Sequence, residues 1–199
     1  MNMLTMMIAV LLVWSSGSMA DEASAATAKA VLAGGCFWCL EHDMLKLDGV
    51  VDAVSGYAGG TIPNPTYENY HDEIVGQTPH VEVVEVTYNP AKVSYGAVLD
   101  YYLRHIDPTD GGGQFCDRGA AYRPVIFTAT AAEAAVAATT LKEVATKLGK
   151  PVAVDVLPAT RFWVAEGYHQ RYAEKNPARY ALYRWNCGRD AKVKSVWGN

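Results

Sequence analysis

The stretch Ala30-Val31-Leu32-Ala33-Gly34-Gly35-Cys36-Phe37-Trp38-Cys39-Leu40-Glu41 decides how the chain is read. Ala30 to Ala33 is a short apolar run, two glycines end it, and Phe37, Leu40, Met44 and Leu47 follow at helical spacing. This predicts a strand, a glycine turn and a helix whose first turn contains Cys36. A thiol there faces unpartnered backbone N–H groups and the positive end of the helix dipole, both of which favour thiolate. Cys36 is therefore a candidate nucleophile, the alternative being an inert core cysteine. Gly34 and Gly35 leave one side of the thiol free of side chains. Phe37 and Trp38 offer polarizable apolar surface suited to a small thioether-like group. Cys36 and Cys39 in C-x-x-C spacing fit a redox pair, half a zinc site or chance, and no second C-x-x-C completes a metal cage.

Working outward, Val50 to Tyr57 reads as a second strand, closed by Gly59-Gly60 and a loop with Pro63 and Pro65. From His80 to Tyr88 the residues alternate, so Glu82 shares the apolar face with Val84, Val86 and Tyr88. Ser94 is placed to cap a helix carrying Val98, Leu99, Tyr102 and Ile106, with Pro108 just beyond. Val125 to Thr128 is a buried strand. Thr130 and Glu133 have capping-box spacing ahead of a helix carrying Ala137, Leu141, Val144 and Leu148, which Gly149 and Pro151 end. Val152 to Leu157 follows as a strand. The alternation predicts an α+β or α/β sandwich wrapped by the aromatic tail Phe162 to Trp197.

The 199 residues suit one domain with an N-terminal extension. Half the residues are hydrophobic and 19% are charged, which excludes a disordered, collagenous or coiled-coil chain. A net charge of -4 provides no basic stripe to neutralise phosphates, so nucleic acid is not an expected partner. Residues 1–20 carry no charged side chain, and Met3 to Trp14 form an apolar run too short for a comfortable bilayer span. Ser18 and Ala20 flank a cut before Asp21, so residues 1–20 read as a signal peptide, although no Lys or Arg precedes the run. The expected location is periplasmic or secreted; an uncleaved anchor, or a misassigned start and a cytoplasmic product, are the alternatives. Residues 21–29 read as a disordered lead-in, and 30–199 as the catalytic domain.

Several collinear motifs are more specific than any one of them. Gly35-Cys36-Phe37-Trp38, Gly56-Tyr57 with Gly59-Gly60, Asn64-Pro65-Thr66-Tyr67, His80-Val81-Glu82, Asp107-Pro108-Thr109, Asp117-Arg118-Gly119 with Tyr122-Arg123, and Tyr168-His169-Gln170 occur in this order. From about Lys29 to Gly198 the chain resembles the A-type peptide methionine sulfoxide reductases. The resemblance implies a ferredoxin-like two-layer α+β sandwich with long loops and an irregular C-terminal tail. It implies reduction of methionine S-sulfoxide, free or in proteins, with electrons from a thioredoxin-like donor. No metal or organic cofactor is implied, and the enzyme is expected to act as a monomer.

Residue by residue, the resemblance makes Cys36 the thiolate that attacks the sulfoxide sulfur, with Phe37 and Trp38 around the methyl group. Glu82 matches the acid that protonates the oxygen, and Tyr67 and Asp107 match residues that help hold it. A carboxyl donates that proton at neutral pH only if its pKa is raised, which an apolar strand face does by desolvation. Oxygen transfer leaves Cys36 as a sulfenic acid, which condenses with a thiol. Cys187, before Gly188, resembles the family's resolving cysteine; Cys39 is the alternative, disfavoured because the first helical turn would have to distort. Two departures stand out: Phe115 and Cys116 replace commoner Gly and Asn, and Gly111-Gly112-Gly113 puts a second hydroxyl near the oxygen in doubt. Cys116 lines the site, pairs with Cys187 or packs, with packing the default. Two other readings compete: a thioredoxin-type disulfide oxidoreductase using Cys36 and Cys39, and an exported binding module with two structural disulfides.

Overall fold

The computed structural model describes residues 26–198, so the expected signal peptide and the first part of the lead-in lie outside the described residues. In chain order the elements are β1 (Ala28–Ala33), α1 (Phe37–Met44), β2 (Val50–Ala58), β3 (Val81–Tyr88), α2 (Tyr95–Leu103), β4 (Gly113–Gln114), β5 (Asp117–Arg118), β6 (Val125–Thr128), α3 (Ala131–Leu148), β7 (Asp155–Pro158), β8 (Trp163–Val164), α4 (Tyr172–Lys175), α5 (Pro177–Asn186) and α6 (Arg189–Trp197). Six strands form one sheet in the order β7-β6-β1-β3-β2-β8, and β4 pairs with β5 separately. Only β6 and β7 run parallel; the other neighbours in the large sheet are antiparallel.

β3 sits between β1 and β2 and is covered on both faces, so its residues are almost continuously buried. Leu32, Ala53, Val84, Val86 and Ile126 pack beneath the helices. Ala33, Ala58, Val81, Val83 and Phe127 face the other way, under Leu157 and Phe162. Glu82 therefore projects toward the helical layer, and its alternation partners are buried as expected.

The helix ends follow the capping signals. Ser94 Oγ accepts the Ala97 N–H at 3.2 Å, and Thr130 Oγ1 accepts the Glu133 N–H at 3.1 Å while the Glu133 carboxylate takes the Ala129 N–H. Gly149 closes α3 in the left-handed conformation.

Four expectations are corrected. β1 begins at Ala28, so the end of the expected lead-in is strand. Cys36 is not inside the first turn of α1 but is its N-cap residue. The strand after α3 starts at Asp155, because Ala153 N–H is drawn to Pro108 O at 2.7 Å. The tail is not irregular: it forms β8 and three helices, with Pro177 opening α5 and Gly188 separating α5 from α6. Trp197 anchors its end, donating from Nε1 to Ile106 O.

The turn from β1 into α1 is tightly boxed. Gly35 has φ of 76°, and a Cβ there would lie 2.6 Å from Gln114 Cβ. Gln114 is fully buried and cross-ties its own loop, accepting from Asp107 N–H and donating to the Asp107 and Asp110 carbonyls. Gly35→Ala is expected to lower unfolding stability by about 1–3 kcal/mol through overpacking and left-handed strain, read by denaturant titration.

Candidate active site

The N-terminus of α1 lies beside two carboxyl groups. Phe37 N–H donates to Glu82 Oε2 at 2.9 Å, and the Asp117 carboxyl lines the same cavity. Glu82 also accepts from Tyr70 Oη at 3.0 Å, and Tyr70 lies 3.4 Å from the Tyr122 hydroxyl. Burial raises the Glu82 pKa to about 8, even though the Phe37 and Tyr70 hydrogen bonds oppose the shift. Glu82 is thus a protonated acid at neutral pH.

Cys36, Phe37 and Trp38 share a cavity of about 70 Å³ with Glu82 and Asp117, roofed by Tyr67, Tyr122 and Tyr183. A methyl sulfoxide group matches this size and a whole methionine does not. The Trp38 indole is locked by stacking on Tyr172, 3.7 Å between centroids, and donates from Nε1 to His169 Nδ1 at 2.9 Å. Burial keeps His169 neutral, so its Nδ1 is an acceptor and Nε2–H faces Glu166. Gln170 fixes this segment through Ser55 N–H, Ser55 O and Ala165 O, and Glu41 takes the Arg171 N–H. Beside the cavity an aromatic trough of about 400 Å³ shares Trp38, Tyr67 and Tyr183 and continues past Tyr168 to Arg179.

Cys36, Glu82, Tyr67, Phe37 and Trp38 are thus brought together. Asp107 is not. Its Oδ1 takes both the Thr109 N–H and hydroxyl, and its other oxygen pairs with Lys192 at 3.2 Å. The carboxylate in the cavity is Asp117, which β5 carries in. Tyr70, Tyr122 and Tyr183 were missed, and the doubt over a second hydroxyl is answered by Tyr122. Their signal was weak: Tyr70 and Tyr183 lie on a loop and a tail helix whose placement depends on contacts distant in sequence.

The expected depressed pKa of Cys36 is also corrected. Burial pushes the Cys36 thiol up, and the neighbouring Cys39 and Glu82 side chains add to the shift. Cys39, 1% exposed, is held below the ordinary thiol range by the neighbouring Cys36 side chain, with Arg189 and Arg184 adding to the effect. Cys187 is bonded to Cys116, so Cys116 does not merely pack. Asp117 lies against this disulfide, with both sulfurs already committed to each other rather than to a metal.

The family model described as "Peptide methionine sulfoxide reductase" matches residues 28–199. The chain belongs to this family, in its A-type branch. "Peptide methionine sulfoxide reductase MsrA 2" of Caulobacter vibrioides is 50% identical over 173 residues, 86% of either chain. Mxr1 of Saccharomyces cerevisiae in reduced form superposes with TM-score 0.69 at 34% identity, covering 76% of this chain and 86% of that one. A structure of Mxr1 in complex with Trx2 matches with TM-score 0.52 at 27% identity, covering 75% and 87%.

Because Glu82 is protonated in the folded reductase up to pH about 8 and ionised in the unfolded chain above about 4.5, its contribution to stability falls as pH rises through that window. Glu82→Gln is expected to flatten this part of the stability–pH curve. The same variant should lower kcat by about 10²–10⁴-fold if the carboxyl is the proton donor.

Proposed function

We propose that the protein reduces methionine S-sulfoxide, free or within proteins, to methionine, repairing oxidative damage. The observation that carries this reading is a protonated, buried carboxyl in the same 70 Å³ cavity as an unpaired cysteine. The net reaction of a thiol with a sulfoxide, giving a sulfenic acid and a thioether, neither consumes nor releases a proton. The site needs only to move one proton from sulfur to oxygen. Glu82 gives its proton to the sulfoxide oxygen as Cys36 sulfur attacks, and is reprotonated at the expense of the Cys36 thiol. Tyr67 and Tyr122 face the cavity as neutral hydroxyls and hold the oxygen, while Phe37 and Trp38 enclose the methyl group.

The Cys36 sulfenic acid then condenses with a thiol, forming a disulfide and releasing water. Cys39, the other free cysteine, lies one helical turn from Cys36 and is buried with it. The N-cap position of Cys36, with ψ of 121°, removes the objection that a regular helical turn must distort. Cys187, which the structure holds in a disulfide with Cys116 and 3.8 Å from the Asp117 carboxylate, is the resolving residue implied by the resemblance, with Cys39 the alternative, and a thioredoxin-like dithiol protein supplies the electrons. The complex of the related Mxr1 with Trx2 supports that donor.

In an assay resolving the two sulfoxide epimers with dithiothreitol as reductant, the native protein should reduce the S-epimer alone. Cys36→Ser should abolish this, and equal reduction of both epimers would overturn the assignment.

We also infer export to the periplasm or beyond, supported by the uncharged apolar run ahead of Ser15–Ala20. Cell fractionation with N-terminal sequencing should find a mature protein starting at Asp21 outside the cytoplasm; a full-length cytosolic product would refute export.

A further inference from the structure

The aromatic trough beside the catalytic cavity has no role in the chemistry described so far. It shares Trp38, Tyr67 and Tyr183 with the cavity, so the two spaces are continuous. A cavity of about 70 Å³ takes the methyl sulfoxide group alone, and the rest of a bound substrate has to leave past these three side chains. The trough, at about 400 Å³, has room for chain beyond the oxidised methionine. Its wall is pre-formed, because Trp38 stacks on Tyr172, while Tyr67 and Tyr168 are 38% and 59% exposed and offer ring surface for a ligand to cover.

One cation lies in this aromatic surface. Arg179 and Tyr183 both line the trough and stand four residues apart on α5. They therefore share one helical face, separated by one turn or about 6 Å along the axis. An extended chain advances about 3.3 Å per residue, so a chain leaving the cavity at Tyr183 reaches Arg179 about two residues from the methionine. The neighbouring arginines of this tail are neutralised: Arg171 by Asp52, and Arg184 by Asp43 and Asp190. Arg179 is exposed and forms no ion pair among the described residues. On the Tyr168 side the charge is opposite, since Glu68 and Glu166 lie close enough to act on that phenol. Glu166 is already committed there, accepting the Tyr57 hydroxyl and the Tyr67 N–H.

From this arrangement we propose that the trough is a subsite for the polypeptide flanking the oxidised methionine, and that Arg179 selects an acidic side chain within two residues of it. The proposal rests on the reading of the site as a methionine S-sulfoxide reductase. A guanidinium presents paired N–H donors that match a carboxylate, and the aromatic stretch between cavity and cation suits the backbone and apolar stem of the intervening chain. Free methionine sulfoxide would leave that stretch uncovered, so the occupant is a peptide side chain and not the amino acid's own carboxylate. Because Glu68 and Glu166 act elsewhere along the trough, the preference belongs to the position that meets Arg179 and not to acidic peptides in general.

The test uses the native protein, dithiothreitol and capped pentapeptides with methionine S-sulfoxide at the centre, which carry no terminal charge. Glutamate, glutamine or lysine is placed in turn at each of the flanking positions. At low ionic strength glutamate at one position should raise kcat/KM about 3–5-fold over its glutamine twin, chiefly through KM, as expected for an exposed ion pair. High ionic strength should erase the difference. Arg179→Gln should erase it too, Arg179→Lys should keep part of it, and Arg179→Glu should favour the lysine peptide at the same position. Equal kcat/KM for the glutamate and glutamine peptides at every position, or a preference that survives in Arg179→Gln, overturns the subsite while leaving the reductase reading intact. So does Arg179→Gln raising KM for free methionine sulfoxide as much as for the glutamate peptide, which would assign the guanidinium to the amino acid's own carboxylate. Failure of the native protein to reduce any of these sulfoxides overturns the reductase reading itself.

Discussion

The hydrogen bond from the first amide of α1 to the buried Glu82 carboxyl ties together the sheet, the helix and the chemistry. It joins the middle strand to the start of α1, so the acid and the nucleophile keep one geometry. A second donor, Tyr70, comes from the long excursion between β2 and β3. That excursion is held by His80, whose N–H donates to Tyr70 O and whose ring bridges Gly60 N–H and Ile62 O. The carboxyl is thus fully partnered while remaining dry, which is the condition under which a glutamate keeps its proton near neutral pH.

The placement of this acid has a consequence for the cysteine. A helix N-terminus has a limited number of free amides, and here the Glu82 carboxyl occupies that of Phe37. Cys36 therefore rests as a thiol. A permanent thiolate beside a carboxyl would repel it and promote adventitious oxidation. A thiol that ionises only as its proton moves toward the sulfoxide oxygen confines reactivity to the occupied site.

Much of this was legible in the sequence. The strand-glycine-cysteine-helix order, the inward face of Glu82, and the Ser94 and Thr130 caps all rest on local rules, and each is present in the fold. The site was less legible where residues arrive from afar. Asp107 and Asp117 are both acidic and both lie in the loop after α2, and only the pairing of β4 with β5 brings Asp117 into the cavity. The Cys116–Cys187 bond spans 71 residues and has no local signature. The tail helices were hidden by dense aromatic residues, although Pro177 at the start of α5 and Gly188 at its end are regular boundary signals.

Behind Cys39 lies a buried ionic group built on Asp43, Arg184 and Arg189. Arg184 donates to both oxygens of Asp43, and Arg189, 1% exposed, stands 3.6 Å from the same carboxylate with its Nε lacking a hydrogen bond. Burial would raise the Asp43 pKa, but these guanidinium groups hold it low. Asp190, largely exposed, shares Arg184 from the outside and is screened by water. Both cations also lie near Cys39 and favour its ionised form. Arg189 is held there by Phe115, whose ring sits 4.5 Å from the guanidinium, and by its bond to His105 O. Phe115 precedes Cys116 and Arg189 follows Cys187 by two residues, so the outer disulfide clamps this cation against the inner pair.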